Sequence, residues 1–134
     1  MTISFITIDE NTPSEWFVVK HSFPQISREQ IHLYSNVNVE KVCSTEKAAE
    51  LAAKAFAASN NLHYVTTTFV MTVCKLPRGY VPVKLSPRGG VKTQESTPDF
   101  SVAVKKAQQY AIEEGLTFIL PHSIETNSLD ALLD

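Results

Sequence analysis

The sequence predicts an α+β fold in which an antiparallel sheet carries two helices packed on one face. Three observations predict it. Two alanine-containing stretches carry helix start and stop signals. Runs rich in β-branched and aromatic residues flank both of them. Proline and glycine punctuate those runs, twice as the triplet Pro-Arg-Gly.

Ser4 to Ile8 alternates weakly and reads as a first strand, followed by a turn from Asp9 to Ser14 that holds Pro13. Trp16 to His21 is a run of β-formers and reads as a second strand. Ser22 to Arg28 contains Pro24 and reads as a loop. Gln30 to Tyr34 leads towards Val37–Cys43, where Val37, Val39, Lys41 and Cys43 share a face by period two. Ser44 is a suitable helix cap, Glu46 sits where the helix dipole favours an acid, and the alanine-rich run after it is a strong helix former ended by Asn60 and Asn61.

His63 to Leu76 reads as one long strand. Val65, Thr67, Phe69, Met71 and Val73 then form a core face, and Tyr64, Thr66, Thr68, Val70, Thr72 and Cys74 a threonine-rich face open to water or another subunit. Leu76-Pro77-Arg78-Gly79 is a turn, Tyr80 to Leu85 a returning strand, and Ser86 to Gly90 a second turn with a flexible segment to Thr97. Thr97-Pro98-Asp99 opens a second helix as cap, proline and acid. Phe100, Ala103, Val104, Ala107 and Ala111 share one side of it, and Gly115 stops it. Leu116 to Leu120 is a short buried strand ended by Pro121.

Residues 37–120 thus read β-α-β-β-α-β, the split order of ferredoxin-like domains, with an N-terminal strand added. Pro82 opposes that order, because it would lie in a central strand and remove a ladder hydrogen bond. Residues 1–122 are expected to form a single domain and 123–134 an acidic amphipathic tail with Leu129, Leu132 and Leu133 on one side. No internal repeat is expected beyond the two Pro-Arg-Gly turns.

The chain has 134 residues, 43% of them hydrophobic and 19% charged, an ordinary composition for one globular domain. It shows no secretory signal and no run long enough for a membrane helix, and its two cysteines form no framework, so a cytoplasmic, reducing location is expected. The net charge of -2 hides an uneven map. Residues 51–94 hold six bases (Lys54, Lys75, Arg78, Lys84, Arg88, Lys92) and no acid, whereas the blocks on either side are acidic. Positive charge gathered on one piece of a chain can steer an anionic partner. The alternative is that the acidic and basic blocks face each other and cancel.

The two turns supply the candidate ligand-binding residues Arg78, Gly79, Tyr80, Arg88, Gly89, Gly90 and Lys92. Glycine lets backbone N–H groups approach an anion, and arginine offers a planar donor fork. Their glycine spacing matches neither a P-loop nor a dinucleotide fingerprint. The strand between the turns keeps Arg78 and Arg88 from sharing one small ligand within a monomer, unless a bulge or a symmetric neighbour brings them together. An RNA-recognition aromatic pattern is missing, so support for nucleic acid is thin. The four histidines have no metal spacing, and no nucleophile is marked. No cofactor, no metal and no catalytic residue are expected.

The segment STEKAAELAAKAFAASNNLHYVTTTFVM, residues 44–71, resembles the strand–helix–strand unit of small phage-encoded accessory proteins. The resemblance covers about a fifth of the chain and implies a protein that acts by binding a host factor, a small signal or a virion neighbour. The expected function is therefore non-enzymatic binding of an anionic ligand or host protein through residues 51–94, as part of an oligomer or complex. The alternative is a structural or interaction component that uses a sheet face or the tail.

Overall fold

The computed structural model describes residues 2–24, 36–77, 79–87 and 91–121, with residues 24 and 91–93 described by backbone alone. The fold is α+β, with two helices and two sheets. The expected single sheet is not what forms. The strands around residues 36–43 and 70–76 belong to different sheets, so the ferredoxin-like order is not the one observed. The chain divides into two compact units, one of Ser4–Ser22 and Asn36–Thr66, the other of Met1–Ile3, Phe23–Ser35 and Thr67–Asp134. The expected 123–134 tail and the Gln30–Tyr34 segment lie outside the described residues.

The first unit is built on β1 (Thr2–Thr12), β2 (Glu15–Pro24) and β3 (Asn36–Cys43), in sheet order β1-β2-β3. Both β1 and β2 are longer than their β-former runs, and β2 carries through Ser22 into residues expected to be loop. Pro13 and Ser14 join β1 to β2, a connection short enough only for a hairpin. Helix α1 (Glu46–Ser59) follows β3. Its cap is Thr45 rather than Ser44: the Thr45 hydroxyl accepts the Ala48 N–H at 3.1 Å. Ala49, Ala53 and Ala57 recur every four residues and pack with Ile6 and Val18 in one buried cluster. Alanine at these positions lets the helix lie close to the strands.

After α1 the chain returns beside β1. Ile6 N–H donates to the His63 carbonyl, and Val65 N–H donates to the Ile6 carbonyl, both at 2.8 Å. This is a parallel bridge centred on Ile6 and Tyr64. Residues 63–76 are therefore not one strand.

The second unit repeats this path. β4 (Val70–Leu76) and β5 (Gly79–Leu85) form a hairpin, and β6 (Val91–Thr93) pairs with β5. The segment expected to be flexible up to Thr97 thus contains a strand and a bridge. α2 (Phe100–Glu114) follows, and β7 (Thr117–Phe118) returns parallel to β4. The order is β6-β5-β4-β7. The α2 cap is Asp99, whose carboxylate accepts the Ser101 N–H at 2.9 Å and the Ser101 hydroxyl at 2.8 Å. The hydroxyl bond first, and the backbone bond with it, lower the Asp99 pKa. Ala103, Ala107 and Ala111 pack with Met71 and Val73.

Each unit is thus three strands in succession, a helix, and a fourth segment parallel to the first strand. The match runs to single residues. Ile6 faces Tyr64 as Met71 faces Phe118. Trp16 pairs with Cys43 as Tyr80 pairs with Thr97. The three packing alanines of α1 precede those of α2 by one constant interval. Each unit also carries one extra residue in its third strand segment. In the first unit the register slips at Val18/Val19 and Glu40 is left over. In the second, the pairs Tyr80–Thr97 and Val83–Thr93 enclose one residue more on the later segment. The expectation of no repeat is overturned: the unit recurs, although few residues are identical.

Pro82 does occupy a central strand. Its carbonyl accepts the Gln94 N–H at 3.1 Å. The nitrogen and carbonyl of a strand residue point to the same side, so the missing N–H of Pro82 faces away from β4. On that side the β6 ladder stops at Thr93, and no β4–β5 bond is lost.

The threonine-rich face is corrected in part: Thr66 and Thr68 are exposed, as expected, but its later residues are not. Val70, Thr72 and Cys74 are fully buried, and the Thr72 hydroxyl donates to the Ile119 carbonyl at 2.7 Å. A buried threonine satisfied this way carries no solvent preference into the fold.

Candidate functional site

Of the seven residues read as ligand-binding, four lie outside the described residues: Arg78, Arg88, Gly89 and Gly90. Lys92 is placed by its backbone, directly opposite Lys84. Gly79 and Tyr80 are fully described, and both serve the fold. A Cβ on Gly79 would lie 2.4 Å from the Thr97 carbonyl oxygen, and its φ of +154° is one that side chains rarely adopt. Glycine is required there because Tyr80 and Thr97 exchange two backbone hydrogen bonds, at 2.7 and 2.8 Å. The Tyr80 ring packs edge-on against Phe100, with centroids 5.1 Å apart, beside the α2 cluster.

The basic block is partly neutralised. Lys54 reaches Glu50 one turn earlier at 3.0 Å, on an exposed helix surface where such a pair contributes little. The Lys84 ammonium lies 2.5 Å from Glu114 and 5.0 Å from the Phe69 ring centroid.

A second place departs from ordinary surface chemistry, and its residues are on β3. This strand ends its sheet, and among the described residues only β2 pairs with it. Val37, Val39 and Val42 are 52%, 51% and 53% exposed. By period two, Val42 would fall on the face opposite Val37 and Val39. The extra residue at Glu40 changes that. Val37 pairs with His21, Val39 with Val19, and Val42 with Phe17, so all three valines line one face. Lys41 and Cys43, opposite Val18 and Trp16, lie on the helix side instead. Period two alone puts Lys41 and Cys43 with Val37 and Val39, since no residue marks the bulge.

The second unit shows that valine is not needed at the last two of these positions, although at the first it also has a valine, Val91. Thr93 stands where the first unit has Val39, and Ser96, exposed, stands where it has Val42. The first unit thus extends the apolar row by two valines that the shared framework does not require, on a strand longer than β6.

Next to this row lies a buried polar pair. His21 stacks on Phe5, with centroids 5.1 Å apart, and its Nε2 is 2.7 Å from the Thr7 hydroxyl. Burial lowers the His21 pKa, and the Asp9 carboxylate opposes that shift. Burial pushes the Cys74 thiol up to about 12, so it stays protonated and unreactive at neutral pH.

Among the described residues, no group of three His, Cys, Asp or Glu side chains could hold a metal ion. No helix among them is long and apolar enough to cross a membrane. No family model, curated protein or solved structure matches the chain, so the resemblance of residues 44–71 gains no support from known proteins.

Proposed function

We propose that this is a non-enzymatic binding protein that works by protein–protein contact, with the valine face of β3 as its contact surface. One observation carries the reading. A bulge at Glu40 lines Val37, Val39 and Val42 along one face of an edge strand, where the second unit has Thr93 and Ser96 at the last two positions. Exposed apolar residues that a framework does not need mark interaction surfaces.

A photo-crosslinking side chain placed at Val39, and separately at Ser96, tests it in cells expressing the protein. The reading predicts a protein adduct of defined mass from position 39 and none from position 96. No adduct from position 39, or equal adducts from both, contradicts it.

A second reading keeps the anionic partner. It rests on the acid-free stretch 51–94, whose β5 and β6 bring Lys84 and Lys92 to paired backbone positions. Arg88→Glu then weakens calorimetric binding of polyphosphate at low salt. Failure of the unaltered protein to bind polyphosphate removes this reading.

A further inference from the structure

We infer that the partner of the β3 surface is a second copy of this chain, with β3 meeting β3 antiparallel about a two-fold axis between Glu40 and Lys41. The inference rests on the protein-contact reading above and names its partner.

The residues Val39-Glu40-Lys41-Val42 run apolar, acid, base, apolar. Laid antiparallel on itself, this quartet sets Val39 against Val42, Glu40 against Lys41, and their mirror images. A two-fold contact must be self-complementary, and this segment is. The corresponding quartet of the second unit, Thr93-Gln94-Glu95-Ser96, has neither the apolar ends nor the opposed charges. Complementary charge fixes the register, and the valines supply burial.

The bulge at Glu40 interrupts a regular edge, which discourages continuous strand addition. The strands therefore meet edge to edge over this quartet alone, with the valine pairs on one face and the charge pairs of Lys41, which lies on the helix side, on the other. Three half-exposed valines fall well short of the ~800 Å² per partner of a standard stable interface. The association is consequently weak and depends on concentration.

Sedimentation velocity on the full chain from about 1 μM to about 1 mM tests the inference. The unaltered protein should pass from monomer to dimer within that range. The double variant Val39→Thr, Val42→Ser places near-equivalents of the second unit's residues there, so its melting temperature should hold while the dissociation constant rises at least ~10-fold. Glu40→Lys or Lys41→Glu alone should weaken the dimer, and the two together should restore it, because the exchanged quartet is again self-complementary. A chain monomeric throughout overturns the inference, as does a dimer indifferent to the valine change or a double charge exchange that fails to restore it. The crosslink at position 39 separates the two levels. An adduct of twice the chain mass supports both. An adduct of another mass keeps protein contact and removes the second copy. No adduct removes both.

Discussion

Asn61 and Gly115 hold the same place in the two units, each in a left-handed conformation just after its helix, with φ of 54° and 68°. The residue after each closes the helix end in the same way. Leu62 N–H donates to the Ala57 carbonyl and Leu116 N–H to the Ala111 carbonyl, both at 2.8 Å. Both ends have the six-to-one bond of a Schellman motif, and the leucine that follows turns into the core. Asparagine tolerates this conformation and glycine adopts it without cost. Asn61→Gly should therefore stabilise the protein by about 0.5 kcal/mol, and Gly115→Ala destabilise it by about 1 kcal/mol. Nothing lies within 4 Å of a Cβ at Gly115, so its cost is conformational alone. Urea denaturation of the two variants measures both; equal effects of the same sign would contradict the shared cap.

Gly79 carries a different demand. Its Cβ would strike the backbone of Thr97, which is held by two hydrogen bonds to Tyr80. Gly79→Ala should cost about 3 kcal/mol and lower the melting temperature by well over 5 °C. A variant as stable as the parent would return Gly79 to the ligand-binding role that its turn suggested.

The pH dependence of stability should show His21. Burial lowers its pKa in the folded protein, so the unfolded chain binds the proton more readily. Above pH ~6.5 the group is neutral in both states and contributes nothing. As pH falls below that value, the unfolded state takes up a proton and stability declines. His21→Leu installs the residue that stands at the equivalent position of β5, Leu85, and should flatten the decline between about pH 5 and 7. An unchanged slope in denaturation midpoint against pH would contradict this.

The two thiols should separate by reactivity. Cys74 is fully buried with its pKa pushed up, whereas Cys43 is half-buried. Titration of the native protein with a disulfide reagent should modify Cys43 first and Cys74 only on unfolding. Rapid reaction of both would contradict the burial of β4.

The α+β class, both helices and the two hairpins were legible because alanine, caps and turn residues act locally. The helix starts were misplaced by one residue at Ser44 and by two at Thr97, since neighbouring residues compete for the cap. The long strand through 63–76 was misread because Val65 to Val73 alternates without a break, and only the return beside Ile6 divides it. The recurrence of the unit had a signal. The strings Phe-Ala-Ala-Ser-Asn-Asn-Leu-His-Tyr-Val and Tyr-Ala-Ile-Glu-Glu-Gly-Leu-Thr-Phe-Ile share an aromatic, an alanine, a left-handed position, a leucine and an aromatic–aliphatic pair in step. Their differing composition hid it. The candidate surface was not legible at all, because a one-residue bulge decides which face Val42 takes and leaves no mark in the residues.

Backbone amide exchange across residues 37–42, followed as protein concentration rises, tests the β3 surface most directly. The account predicts that exchange there slows from dilute to concentrated solution, while that at residues 94–97 in the second unit does not change. Exchange independent of concentration at both places, or slowed equally at both, would contradict a contact made through the valine face with a second copy.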